Sequence, residues 1–189
     1  MARLAYLLEK IASKEPAPAS GSACGAVVAA AAALVEKSAN LSTKHWDGAA
    51  RALEQARALR LASFELIEED AQAYLAFVAV VRGAKEQERA ESQESVAVAH
   101  ARTIDVPLRM TRAAADVAEL AVQLAQHGNP NLRADAVVAA TLAAAAAESG
   151  LTLIEVNLAD AVDDARLALA RKLARKATGL ALSLRPQGS

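Results

Sequence analysis

Aromatic residues make up only 3% of this chain: two Phe, two Tyr and a single Trp. A core without rings must be filled by small and branched aliphatic side chains, at short distances between elements. Cysteine is almost missing as well. One thiol, Cys24, excludes an internal disulfide and suits a reducing compartment. No sign of charge prevails: 21 Lys and Arg stand against 22 Asp and Glu, a net −1 without the basic field nucleic acid requires. The glycine loops that cradle phosphate, GxxxxGKS/T and GxGxxG, are absent. His45, His100 and His127 share no i, i+4 spacing and have no cysteine cluster beside them, so no metal site is expected.

Long apolar runs are also scarce. The opening MARLAYLLEK is interrupted by Glu9 and Lys10 and lacks the apolar core of a signal peptide. The stretches 23–35 and 136–147 fall short of the ~20 residues a spanning helix needs. The expectation is a soluble, cytoplasmic protein without a membrane or nucleic-acid partner.

What is abundant is alanine, 51 of 189 residues. Alanine is the best helix former and a poor strand residue, so the composition predicts helices that approach one another closely. A short amphipathic helix is expected over about residues 2–13, ending where Pro16 and Pro18 forbid helix. Ser20 or Ser22 then caps a helix that is apolar on nearly all sides up to Val35, the mark of a central element. A long helix follows over about 46–82, with Leu53, Leu61, Phe64, Ile67, Ala71, Tyr74 and Val78 as its apolar stripe. The chain is expected to break at Arg82–Lys85, to kink or restart at Pro107, and to break again at His127–Asp135. Met110, Val117, Leu120 and Leu124 give the helix before that last break its apolar face. Helices over about 132–149 and 161–184, with a segment around LIEVNL between them, complete the reading. The fold class is all-α: a single multihelical domain over residues 1–189, with long, Ala-rich helices. The apolar girth of residues 23–35 predicts a homodimer.

Three polar islands interrupt the alanine. PAPASGS sets a Pro-locked turn before the buried helix, and the N–H groups of Gly21, Ser22 and Ala23 would face an oxygen there. Asp70 sits at the edge of an apolar stripe, where a half-buried carboxylate needs a partner; its alternative is a solvated face shared with Glu65, Glu68 and Glu69. In HGNPNLRAD, Gly128 can end one helix and Asn131 can cap the next. That leaves His127, Asn129, Arg133 and Asp135 unexplained, and Asn157 is a further isolated amide. Cys24 has no base nearby and reads as a small buried side chain.

These islands fall in the order of a known family. The chain resembles the cyclodeaminase domain of formimidoyltransferase-cyclodeaminase and the related methenyltetrahydrofolate cyclohydrolases. Pro16-Ala17-Pro18 with Gly21-Ser22 is similar to the family's PAPGGGS turn, and Asp70-Ala71-Gln72-Ala73-Tyr74 to its DA.AF motif. Arg82 to Lys85 is similar to its RLPK-like turn, Val106-Pro107-Leu108 to its VPL. Gly128, Asn129, Arg133 and Asp135 match GN....SD, and Asn157 matches the asparagine of NV.IN. Ala19, Ser20, Ala84, Ala134 and Leu153 depart from these patterns.

The resemblance implies an all-α dimer and an enzyme of folate one-carbon metabolism. It would act on 5,10-methenyl-tetrahydrofolate as a cyclohydrolase, or on 5-formimidoyl-tetrahydrofolate as a cyclodeaminase. The folate is substrate, and no cofactor is implied. Asp70 and Asp135 would be the catalytic acids. Gly21, Ser22, Lys85, Gly128, Asn129, Arg133 and Asn157 would bind substrate. The departures leave an alternative, a catalytically lapsed member serving as a ligand-binding or structural helical dimer.

Overall fold

The computed structural model describes residues 2–86, 90–159 and 163–185. Helix α1 (Ala2–Ile11) is followed by α2 (Ser20–Asn40), α3 (Ala49–Glu86), α4 (Ala90–His127), α5 (Arg133–Leu158) and α6 (Ala165–Ser183). A 3-10 turn, Pro130–Leu132, leads into α5. No strand occurs among the described residues. From α2 onward successive helices run in alternating directions. α3 packs against α2 and α4; α5 packs against α2, α4 and α6.

Alanine does what its size allows. Ala31, Ala32, Ala114, Ala118, Ala139, Ala143 and Ala174 have no exposed surface, and Val28, Val35, Met110 and Val117 fill the space between them. Small side chains at the crossings let backbones come close. At Gly150, deep in α5, a Cβ would lie 2.3 Å from the Thr111 hydroxyl and 3.3 Å from the Pro107 carbonyl. That glycine is a packing residue, and α5 runs unbroken through it where the sequence suggested a stop near 149 and a separate LIEVNL segment.

Other expected boundaries also shift. α3 continues through Arg82–Lys85 to Glu86, so the break is not in that turn; residues 87–89 lie outside the described ones. α4 passes through Pro107 without a restart. Proline lacks the N–H that would bond the carbonyl four residues back, and that carbonyl belongs to Thr103. The Asn157 side chain supplies the missing donor, Nδ2 to Thr103 O at 2.7 Å.

α2 has Ala19 before its first turn and no side-chain cap, so neither Ser20 nor Ser22 caps it. Nor is it covered all round by its own chain, since Ala30 and Ala33 stay exposed. The expected α3 stripe is split: Leu61, Phe64 and Tyr74 face outward, Leu53, Ile67 and Val78 are half-buried and Ala71 is buried, while Ala52, Ala56, Ser63, Leu66 and Ala73 complete the buried face. Small residues and Leu66 pack this helix, while Leu61, Phe64, Tyr74 and Leu75 are left outside.

By length and composition α2 and the 130–158 segment could each cross a membrane, a test their interrupted apolar runs did not suggest. Both contribute fully buried residues to the bundle core, which is how a core helix passes the same test.

Candidate functional site

The first turn of α2 meets the middle of α3 at a polar corner. The Ser22 hydroxyl donates to the Ile67 carbonyl at 2.8 Å. The Ser22 backbone N–H, one of the donors a helix start leaves unpaired, bonds the Asp70 carboxylate. The oxygen expected at this helix start is therefore the chain's own. Gly21 makes the approach feasible: a Cβ there would lie 2.0 Å from Asp70 Oδ1. Glycine is required for space here, since its φ is not positive.

Burial pushes the Asp70 carboxyl from 3.8 up to about 6, against the Ser22 N–H, which pulls it down. The neighbouring Glu65, Glu68 and Glu69 are not a cause. Glu69 is paired with Arg109, and Glu68 accepts from Gln72 at 3.0 Å. Cys24, one turn further along α2, is buried and donates to the Ala146 carbonyl at 3.2 Å. Its thiol is pushed up to about 12, first by burial and then by the Asp70 charge, so it is no nucleophile.

Beside this corner lies an open groove of about 640 Å³ between α1, α2 and α3. Ile67, Glu68 and Ala71, the α3 residues flanking Asp70, form one wall; Tyr6, Lys10 and Pro18 stand opposite. The sequence reading missed Tyr6 and Lys10. Their signal was a polar tip at each turn of an otherwise apolar short helix.

Asn157 lies at the same end of the bundle, committed to Thr103 as described, while its backbone carbonyl meets His100 Nε2 at 2.7 Å. Lys85 is in α3, its side chain outside the described residues.

The remaining predicted residues sit at the other end. Ser22 and Lys37 are fifteen residues apart on α2, about 22 Å of helix, and Lys37 Nζ pairs with Asp135 Oδ2 at 2.8 Å. Asn129 uses every polar group on its own chain: its N–H donates to Ser42 Oγ at 2.9 Å, Nδ2 to the Leu41 carbonyl at 3.4 Å, and Oδ1 accepts from Asn131 N at 3.0 Å. So Asn129 caps the 3-10 turn, and Asn131 caps nothing. Gly128 does not end α4 with a left-handed residue; a Cβ there would stand 2.6 Å from the Leu124 carbonyl and 2.8 Å from Ser42 Oγ. Arg133 reaches the Leu184 carbonyl at 3.4 Å. One chain does not bring the Asp70 corner and the 128–135 turn together.

An antiparallel helical bundle with a half-buried acid set against the start of an inner helix defines a class of all-α protein. The formiminotransferase-cyclodeaminase family model matches residues 3–176, and the chain belongs to that family. The crystal structure of formiminotetrahydrofolate cyclodeaminase from Thermotoga maritima is similar over 96% of this chain and 92% of its own, with a TM-score of 0.84 and 25% identity. No curated protein matches.

Proposed function

We propose that the protein is a soluble, cytoplasmic enzyme acting on a one-carbon derivative of tetrahydrofolate, with Asp70 as its proton-transfer group. The observation that carries this is a carboxyl raised to about 6 beside an open groove. A group poised near neutrality can both give and take a proton at cytoplasmic pH. In cyclodeamination of 5-formimidoyl-tetrahydrofolate, the folate's N10 attacks the formimidoyl carbon. Ionised Asp70 takes the N10 proton and returns it to the terminal nitrogen, whose C–N bond breaks to release ammonia and leave the methenyl bridge. In the cyclohydrolase reaction, water adds to the methenyl carbon, ionised Asp70 takes its proton and returns it to the leaving nitrogen, and that C–N bond breaks to leave a formyl group on the other nitrogen. Both routes pass a tetrahedral carbon next to positive charge, which a carboxylate stabilises.

The groove supports the reading with an apolar floor for the ring system and with Lys10, which pairs with Glu15 at 2.7 Å and would exchange that partner for a carboxylate of the substrate's glutamate. Asp135, Arg133, Asn129 and Gly128 enter such a site only from a second copy. The exposed Leu4, Tyr6, Phe64 and Leu75 on α1 and α3 supply an apolar face for a homodimer.

A lapsed, non-catalytic member is favoured by one observation, the engagement of Asn129 and Asp135 within their own chain. Rates decide between the readings. The enzyme consumes 5,10-methenyl- or 5-formimidoyl-tetrahydrofolate faster than buffer, and Asp70→Asn slows it about 10²-fold or more. Binding of both folates with only the buffer rate establishes the lapsed reading.

A further inference from the structure

A second, larger cleft lies between the beginning of α3 and the last third of α4, with a volume of about 750 Å³. That is within the ~300–1,000 Å³ of small-molecule sites. Its residues belong to none of the motifs that mark the family. Arg51, Gln55 and Leu59 recur at four-residue steps along α3, and Asp116, Leu120 and Gln123 at three- and four-residue steps along α4, so two helix faces look at each other. Trp46, the sole tryptophan, closes one end. Its indole is held in place: the His127 ring lies 5.9 Å away, and a Cβ at Gly48 would come 2.3 Å from Trp46 Cζ2.

The polar groups of this cleft are unspent. Among the described residues, Arg51, Gln55, Asp116 and Gln123 have no hydrogen-bond or ion-pair partner, whereas Glu119 is tied to Lys176 at 2.8 Å. Asp116 is the anomaly. It stands half-buried between Ala115 and Val117, both without exposed surface. Burial raises its carboxyl, while Lys176 and Arg112 pull it down and Glu119 adds to the rise. A partly desolvated carboxylate without a partner favours a ligand that brings paired N–H donors.

We propose that this cleft is a second ligand site, for a flat heteroaromatic base carrying a guanidine- or amidine-type edge. The base lies against Trp46, whose ring face attracts flat and cationic groups. Its N–H pair meets Asp116, and Gln55 and Gln123 offer both a donor and an acceptor to the remaining ring atoms. Gln55 and Asp70 are fifteen residues apart on α3, about 22 Å, so the two sites are separate. The proposal holds whether or not Asp70 catalyses, because turnover does not enter its test.

The single tryptophan gives a direct readout. The protein is titrated with 2-aminobenzimidazole, which carries a cyclic guanidine edge, and with benzimidazole, which lacks the exocyclic amine, following Trp46 fluorescence and heat of binding. Saturable quenching by the first probe is expected, with affinity about tenfold or more above the second, the worth of one bond to a charged group. Asp116→Asn, checked for an unchanged melting curve, abolishes that preference; Gln123→Leu weakens binding of both probes. No saturable quenching, equal affinities, or a preference that survives Asp116→Asn overturns the proposal. So does calorimetric binding that leaves Trp46 emission unchanged.

Discussion

The Asn157 side chain bonds the Thr103 carbonyl, the acceptor that Pro107 leaves without a backbone donor. One isolated amide in α5 thus makes an unbroken α4 tolerable. Asn157→Ala strands that carbonyl on a buried residue and is expected to cost about 1–3 kcal/mol in denaturant unfolding. In a Pro107→Ala background the helix supplies its own N–H, and the penalty should fall to within about 0.5 kcal/mol. An equal penalty in both backgrounds contradicts this account.

Gly21→Ala sets a Cβ where the Asp70 carboxylate now lies. The acid must swing away from Ser22 or the helices must separate. Overpacking of this kind costs about 1–3 kcal/mol. Thermal unfolding should show that loss, and activity should drop together with it. Gly83→Ala, in open space on α3, is the contrast and should leave both nearly unchanged or slightly improved.

Asp70 also fixes a pH dependence. Its carboxyl is raised on folding, so the folded state favours the proton and this stabilisation is complete below the unfolded value of 3.8. It is lost as pH rises through about 6. Asp70→Asn keeps the shape and removes the charge. The variant's unfolding free energy should vary less between pH 4 and 7 than that of wild type, and should exceed it at pH 8.

The turn at 128–135 separates two roles. Asn129 holds the turn through two side-chain bonds, Nδ2 to the Leu41 carbonyl and Oδ1 from Asn131 N. Asn129→Ala, which removes both and keeps the backbone bond to Ser42, is expected to lower stability by about 1 kcal/mol. Asp135 makes one exposed pair with Lys37, so Asp135→Asn should change it by about 0.5 kcal/mol or less. Urea melts of the two variants check the ranking.

Association is tested at the exposed face. Phe64 is 60% exposed on α3 and Tyr6 61% on α1. Light scattering at micromolar concentration should give twice the chain mass of 19.6 kDa. Phe64→Asp should return the chain mass itself. A monomer in the unmodified protein removes the dimer from the proposed function.

Helix content was readable in the sequence because alanine leaves little choice, and the buried Met110–Leu124 face because its spacing is regular. Boundaries were not. Gly150 and Pro107 read locally as stops, yet each is compensated by a residue distant in sequence, Thr111 by contact and Asn157 by a hydrogen bond. The α3 stripe misled for a related reason: in a bundle this tightly packed, the buried face takes Ala and Ser while Leu61 and Phe64 are turned out. At the candidate site, the raised Asp70 was legible from a carboxylate on an apolar edge. Its cause was not, since Gly21 and Ser22 come from another helix. Asp116 was legible in principle, as a lone acid inside AAADVAEL, with nothing in the spacing to show the cleft it lines.

The bond from Ser22 N–H to Asp70 gives the protein a built-in indicator. An amide proton that points at a carboxylate shifts in resonance when the charge leaves, so the Ser22 signal should trace the ionisation of Asp70 without any label near the groove. Its protection from exchange with solvent deuterium, taken relative to the free-peptide rate at each pH, should fall on the acidic side of the same titration, as a neutral carboxyl grips the amide less tightly. A ligand seated beside Ile67 and Ala71 would move that curve, and so announce itself in the spectrum before a single turnover is counted.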